Sequence, residues 1–241
     1  MERSSRLLNL IRDNLAAPRE LRVVDQGEDE KVLYIYDPID AFWGVSAQAI
    51  VKALNAITVP RIHLRINSPG GDVFEARAIV TAIKEHKSTI VAHIDGIAAS
   101  AASWIAIAAK EVEMADGAFL MIHQSWGLAM GNSEDMLAMA GLLEKVDLTI
   151  VDEYRKRTGK TKQEIEDWMA AETWFTAAEA KAAGFVDSIA ATGANASNTW
   201  NLTAYAKAPK ALTERPASPA ALSYDREALE RKLGLFEKIA A

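Results

Sequence analysis

The chain has 241 residues, half of them apolar and a quarter charged, with a net charge of −6 and no cysteine. This is the composition of a soluble globular protein, and its acidic balance without a basic stripe argues against a nucleic-acid partner. The absence of cysteine excludes a disulfide scaffold, a thiol nucleophile and a thiolate metal site, and suits a reducing cytosol. Residues 1–30 read as a short amphipathic helix, with Leu7, Leu8, Leu10, Ile11 and Leu15 at helical spacing, followed by the acidic connector GEDE. Arg6, Arg12 and Asp13 break up that apolar run, so it lacks the continuous core of a signal peptide. The longest apolar stretch, Ile97 to Ala109, is too short to cross a bilayer, and no membrane association is expected.

From residue 31 the texture changes. Val32 to Tyr36 is a β-rich run closed by Asp37 and Pro38. Ser46 is placed to cap a helix carrying Ile50, Leu54 and Ile57 on one face, which Pro60 ends. RIHLRI then alternates, with Ile62, Leu64 and Ile66 on one side, and stops at the breaker NSPGGD. A helix from Val73 to about Glu85, a strand from Thr89 to Ile94 and a helix from about Ala98 to Ala109 continue the series. Short strands are expected near Val112 and over Phe119 to Ile122. Alternation of this kind predicts βαβ units and an α/β fold with a mainly parallel sheet.

A long helix is predicted from Ser133 to about Thr158, with Met136, Met139, Ala140, Leu143, Val146, Ile150 and Tyr154 in its main stripe. Leu137 and Leu148 lie well off that stripe and predict a second neighbour for the helix. Thr161 with Glu164, and Thr176 with Glu179, make two capping boxes. Gly184 ends the last helix, and FVDSI reads as the final strand. Residues 31–190 thus form one domain. Residues 191–241 turn polar and rich in Ala, Ser and Pro, a tail that adds little core and closes on a short helix around Leu229, Leu233 and Phe236.

Three places hold residue types suited to catalysis. Ser100 in DGIAASAAS falls in the first turn of a helix that follows a strand. Unpaired amides and the positive end of the helix dipole favour developing negative charge there. The competing reading is that Ser100 and Ser103 are small residues that let a buried helix pack closely. NSPGGD, Asn67 to Asp72, ends a strand on two glycines, where a second chain can approach the backbone; a plain tight turn is the alternative. His123 alone of the four histidines ends an apolar strand and enters a Gly-containing loop, a position that suits a general base. His63 and His93 lie within strands, and His86 falls in a polar turn expected to be solvated. Asp167, Glu172 and Asp187 are candidate carboxylates to orient the histidine, and spacing leaves the choice among them open. No HExxH, Cys/His cluster or EF-hand loop points to a metal, and no G-x-S-x-G elbow points to an α/β-hydrolase.

INSPGGDVFEA, DGIAASAAS, LMIHQ and ETWFTAAEAKAAGFVDSI, in this order, resemble the Clp peptidases over roughly Lys31 to Ile189. The resemblance implies a ClpP/crotonase-like βαβ superhelical fold with a protruding handle helix and a flexible C-terminal tail. It further implies Ser100 as nucleophile, His123 as general base, Glu172 as the acid, and Gly71 and Ala101 as oxyanion-hole amides. SWGLAMGN resembles the family's substrate-pairing strand, which makes Gly70, Ser125, Trp126 and Gly127 substrate-binding residues. No cofactor is implied. The implied partners are further copies of the chain in a ring-like homo-oligomer, a polypeptide substrate and an ATPase unfoldase. YIYDPIDAFWGVSAQAI and the ETWF segment look most like the phage head-maturation proteases, which implies a capsid or scaffold substrate and a site of action in the bacterial cytoplasm or the assembling prohead. Two segments depart from the family: Glu172 stands where Asp is usual, and Ala101-Ala102 replaces Met-Gly. The alternatives are a Ser-Lys peptidase using Lys110, an acyl-CoA enzyme of the crotonase type, and a non-enzymatic assembly protein.

Overall fold

The computed structural model describes residues 21–41, 44–190, 202, 205–209 and 212. The predicted helices at the two ends of the chain lie outside these residues. Eight strands form one sheet. β1 (Arg22–Asp25) pairs antiparallel with β2 (Glu30–Ile35), and β2, β3 (Arg61–Ser68), β4 (Thr89–Ala99), β5 (Glu111–Ala115) and β8 (Ser188–Ala190) then run parallel in that order. β1 is a departure from the sequence reading, which places its first strand at Val32. Its pairing of Val23 with Leu33 and Val24 with Val32 supplies the edge that a short polar segment does not advertise.

The helices begin where their capping residues stand. Ser46 accepts from the Ala49 amide at the start of α1 (Ala47–Asn55), and Asp72 accepts from Phe74 and Glu75 at the start of α2 (Val73–Glu85). Ile50, Leu54, Ile79, Val80 and Ile83 from these two helices bury against Leu33, Ile35, Ile62, Leu64 and Ile66 of the sheet. After α3 (Ala101–Ile107) the chain makes β5 and β6 (Phe119–Ile122), then the long helix α4 (Ser133–Thr158). Asn132 and Asp135 close a capping box at its start, and Gly159 ends it in the left-handed conformation. At 1.5 Å per residue α4 is roughly 39 Å long. Only Ile150, Val151 and Tyr154 are buried, so its first half stands away from the body as the expected handle, with Leu137 exposed by 72%.

α5 (Lys162–Ala170), β7 (Thr173–Thr176) and α6 (Ala177–Ala183) complete the domain, the two helices opened by the predicted Thr161/Glu164 and Thr176/Glu179 boxes. Gly184 ends α6 at φ 89°, and a Cβ there would meet the Thr158 carbonyl at 3.0 Å.

The largest departure from the predicted elements positions the site. Sequence propensity starts a helix near Ala98, yet β4 runs on to Ala99. Its last residues leave β5 and pair with β6: Ile97 with Phe119, Ala98 with Leu120, Ala99 with Met121. Alanine favours helix locally, but strand pairing in a buried sheet outweighs that preference. Ile97, Ala99 and Met121 form a second, smaller core, and Leu202 and Tyr205 complete it. The tail is therefore not all peripheral. Leu202 is 1% exposed and Tyr205 9%, contacts that its polar composition did not announce.

Candidate active site

β4 delivers Ser100 to the turn between strand and helix. Among the described residues only two non-glycines take positive φ, Ser100 at 53° and Glu172 at 49°. Such backbone costs about 1–3 kcal/mol and collects at functional sites. Ser100 stands at the N-cap of α3, but its hydroxyl makes no cap bond. Its amide donates to Met121 O at 2.9 Å, and its carbonyl accepts from the Ser103 amide and from Ser103 Oγ at 2.6 Å. The backbone is thereby pinned while the hydroxyl is left out of the helix cap.

β6 runs parallel beside the end of β4, so its C-terminus brings His123 over that hydroxyl. Ser100 Oγ and His123 Nε2 lie 2.7 Å apart. Burial pushes the imidazole down to about 4, and the negative charge of Glu172 opposes the shift only in part. The ring is therefore neutral near pH 7 and free to accept a proton. Ser103 is fully buried and its hydroxyl also meets Tyr154 Oη at 2.7 Å, which makes it a packing residue.

Glu172 follows α5, its amide bonded to Met169 O. It is the carboxylate whose field reaches His123. Among the described residues no hydrogen bond joins the two. The Glu172 oxygens accept instead from the amides of Ala206 (3.0 Å) and Lys207 (2.7 Å), with the Trp174 indole N–H at 3.4 Å. The other two candidate carboxylates lie elsewhere. Asp167 is exposed and accepts from Gln163, while Asp187 pairs with Arg157 and the Val112 amide. Lys110, the base of the Ser-Lys alternative, is exposed beyond the far end of α3.

NSPGGD brings the third part. Ser68 Oγ donates to Asp37 O and accepts from the Gly70 amide, which fixes the loop. Gly70 has φ 90°, and a Cβ there would lie 2.5 Å from Ala99 O and 2.8 Å from Ser100 Cβ, so only glycine permits the approach. The bridge to Ile39 uses the Gly70 carbonyl and the Asp72 amide and leaves the Gly71 amide outside it. Ala101 opens α3, where first-turn amides lack intrahelical partners. Ser125, Trp126 and Gly127 lie in an irregular run after β6. Ser125 is tied to Asp147 and Leu143 O, Trp126 is half exposed, and Gly127 faces Met139 and Leu143. Gly70, Gly71, Ser100, His123 and Ser125 to Leu128 line one cleft of about 380 Å³, whose remaining wall is mostly apolar: Val73, Phe74, Met139, Leu142, Leu143, Val146.

The other histidines lie apart from this cleft. His63 and His93 bond each other at 2.8 Å between Glu30 and Glu113 on the sheet. His86, expected to be solvated, instead donates from Nε2 to Leu54 O and accepts from the Ser88 amide at Nδ1, tying α1 to α2. Two contributors escaped the sequence reading: Ser68, hidden inside a turn motif, and Tyr205, whose only signal was an isolated aromatic in a run of small residues. Tyr205 donates to Pro69 O and stands edge-on to His123, with ring centroids 5.5 Å apart.

Among the described residues no helix is long and apolar enough to cross a membrane. The Clp protease family profile matches residues 17–193. ATP-dependent Clp protease proteolytic subunit 1 of Chlamydia abortus is 34% identical over 128 residues, 52% of this chain and 67% of that protein. The ATP-dependent Clp protease proteolytic subunit of Streptococcus gordonii is 30% identical over 67% of this chain and 85% of its own length. Among solved structures, a point mutant of ClpP1 from Listeria monocytogenes superposes with a TM-score of 0.59 at 26% identity, covering 66% of this chain and 90% of that one. The chain belongs to the Clp protease family, a family of peptide-bond hydrolases.

Proposed function

We propose that the protein is a serine endopeptidase. The observation that carries this reading is the 2.7 Å contact between the hydroxyl of a serine on strained backbone and a half-buried, neutral imidazole. Ser100 Oγ attacks the scissile carbonyl carbon as His123 Nε2 takes its proton. The amides of Gly71 and Ala101 stabilise the oxyanion. His123 returns the proton to the leaving amine, the C–N bond breaks, and an acyl-serine remains. Water, deprotonated by the same imidazole, then releases the acid and restores Ser100. Glu172 acts on the imidazolium through its charge, in the role that Asp fills in the usual triad.

An extended polypeptide substrate pairs along Ser125 to Gly127 and Gly70, with apolar side chains suited to the cleft wall. The exposed Leu137 and Leu148 on α4 support contact with further copies of the chain in a ring-like homo-oligomer. The sequence resemblance to head-maturation proteases favours a phage capsid or scaffold protein as substrate, processed in the cytoplasm or the prohead. A second reading, a general degradative subunit fed by an ATPase unfoldase, is favoured by the names of the bacterial relatives, which are ATP-dependent proteolytic subunits.

The test is peptide hydrolysis by purified wild type and Ser100→Ala. The variant is expected to lose several orders of magnitude in kcat. Equal rates, with contaminating proteases excluded, overturn the assignment.

A further inference from the structure

We infer that the tail segment around Tyr205 is a working part of the catalytic centre, with Tyr205 as a positioning residue for His123 and the backbone amides of Ala206 and Lys207 as the clamp on Glu172; this rests on the serine-peptidase reading above. Glutamate has one methylene more than aspartate, and so one more torsion to fix before its charge sits in a defined place beside an imidazole. Two successive amides fix it here, one on each oxygen: Ala206 N on Oε2 at 3.0 Å and Lys207 N on Oε1 at 2.7 Å. Within the domain itself the carboxylate is offered only the long contact from Trp174 Nε1 at 3.4 Å among the described residues.

Tyr205 binds the neighbouring parts together. Its ring meets His123 at 83° and Trp174 at 76°, with centroids 5.5 and 5.8 Å away. Its hydroxyl donates to the carbonyl of Pro69, next to the glycine that presses on Ser100. The phenol is buried, and burial together with the charge of Glu172 outweighs its hydrogen bond to Ser100 and keeps it protonated, so it remains a donor. Leu202 and Leu212 anchor the segment on Ile97, Ala99 and Met121, in the two strands that present Ser100 and His123. No described tail residue lines the substrate cleft. The segment therefore backs the catalytic groups and leaves the cleft open, the geometry of support and not of a plug.

The position makes two separable demands. Removing the ring admits water to His123, which relieves the burial that lowers its affinity for protons. Removing an amide releases Glu172 and leaves the ring in place. Tyr205→Ala is expected to lower kcat by about tenfold or more with KM within about twofold, since substrate contacts are untouched while geometry is lost. Its acid limb in kcat/KM moves upward toward the ordinary histidine range. Tyr205→Phe keeps the ring and restores the wild-type limb. Lys207→Pro deletes one amide donor at an exposed residue and is expected to lower kcat similarly without that upward shift. Because it leaves the packed ring alone, it decides the matter if Tyr205→Ala fails to fold. Wild-type kcat and an unmoved acid limb in folded Tyr205→Ala, or wild-type kcat in Lys207→Pro, overturn the inference. Ser100→Ala assayed in parallel separates the two claims: if it is inert while both tail variants keep wild-type kinetics, only the tail inference fails, and if it is active the peptidase reading itself fails.

Discussion

Burial of His123 makes a quantitative claim about acid. The imidazole falls from an ordinary value of about 6.5 to about 4, a difference worth about 3 kcal/mol between its two protonation states. Above pH 6.5 it is neutral in both the folded and the unfolded chain and contributes no pH dependence. As pH falls, the unfolded chain takes up the proton first, so the folded state loses stability by linkage. The loss attributable to this group reaches about 2 kcal/mol at pH 5 and about 3 kcal/mol at pH 4, then levels off. Urea unfolding of wild type and His123→Gln at pH 8, 6, 5 and 4 isolates it, because the glutamine does not titrate. The wild type is expected to lose that much more stability than the variant over this range. The acid limb of kcat/KM with a neutral fluorogenic peptide is expected to have its midpoint near 4. A limb at 6.5 or higher, with parallel pH–stability curves for the two proteins, refutes the burial argument.

Glu172→Gln removes the charge that holds the His123 value up; its acid limb is expected to move below the wild-type position and kcat to fall about 100-fold or more, read from the same pH–rate series. Gly70→Ala places a Cβ 2.5 Å from Ala99 O and 2.8 Å from Ser100 Cβ, and is expected to abolish peptide cleavage while circular dichroism stays close to wild type. Ser103→Ala leaves the Tyr154 hydroxyl without its buried partner, and is expected to cost about 1–2 kcal/mol in urea unfolding while most activity remains. Light scattering coupled to size exclusion is expected to show a multiple of the 26.2 kDa chain mass; a fully active monomer contradicts the ring-like assembly.

The sequence is most readable where a local rule decides the structure. The capping residues Ser46, Thr161 and Thr176 stand where their helices start, because a side-chain oxygen on the first free amides is a local matter. The alternation in RIHLRI marks a strand with one buried face, which it is. Ala98 and Ala99 show the limit. Their helix preference is real, but the pairing with Leu120 and Met121 that overrides it lies over twenty residues away. The candidate site follows the same division. Ser100 and His123 stand at strand ends, and local pattern singled them out. Asp167, Glu172 and Asp187 stayed equivalent until the resemblance, and then the fold, separated them, because proximity to His123 depends on β6 and β7 running side by side. Tyr205 was not legible at all. Its hydroxyl reaches Pro69, 136 positions away, and its ring reaches His123 and Trp174, and no periodicity encodes these contacts.

The central claim is that Ser100 is a nucleophile activated by His123, and covalent labelling tests it most directly. A fluorophosphonate probe reacts with a serine whose hydroxyl is activated by a neighbouring base, and peptide mass spectrometry locates the adduct. A single adduct on the tryptic peptide that contains Ser100 is expected in the wild type, with none in Ser100→Ala and a strongly slowed reaction in His123→Gln. No adduct in the folded wild type, or an adduct that persists at equal yield in Ser100→Ala, contradicts the account.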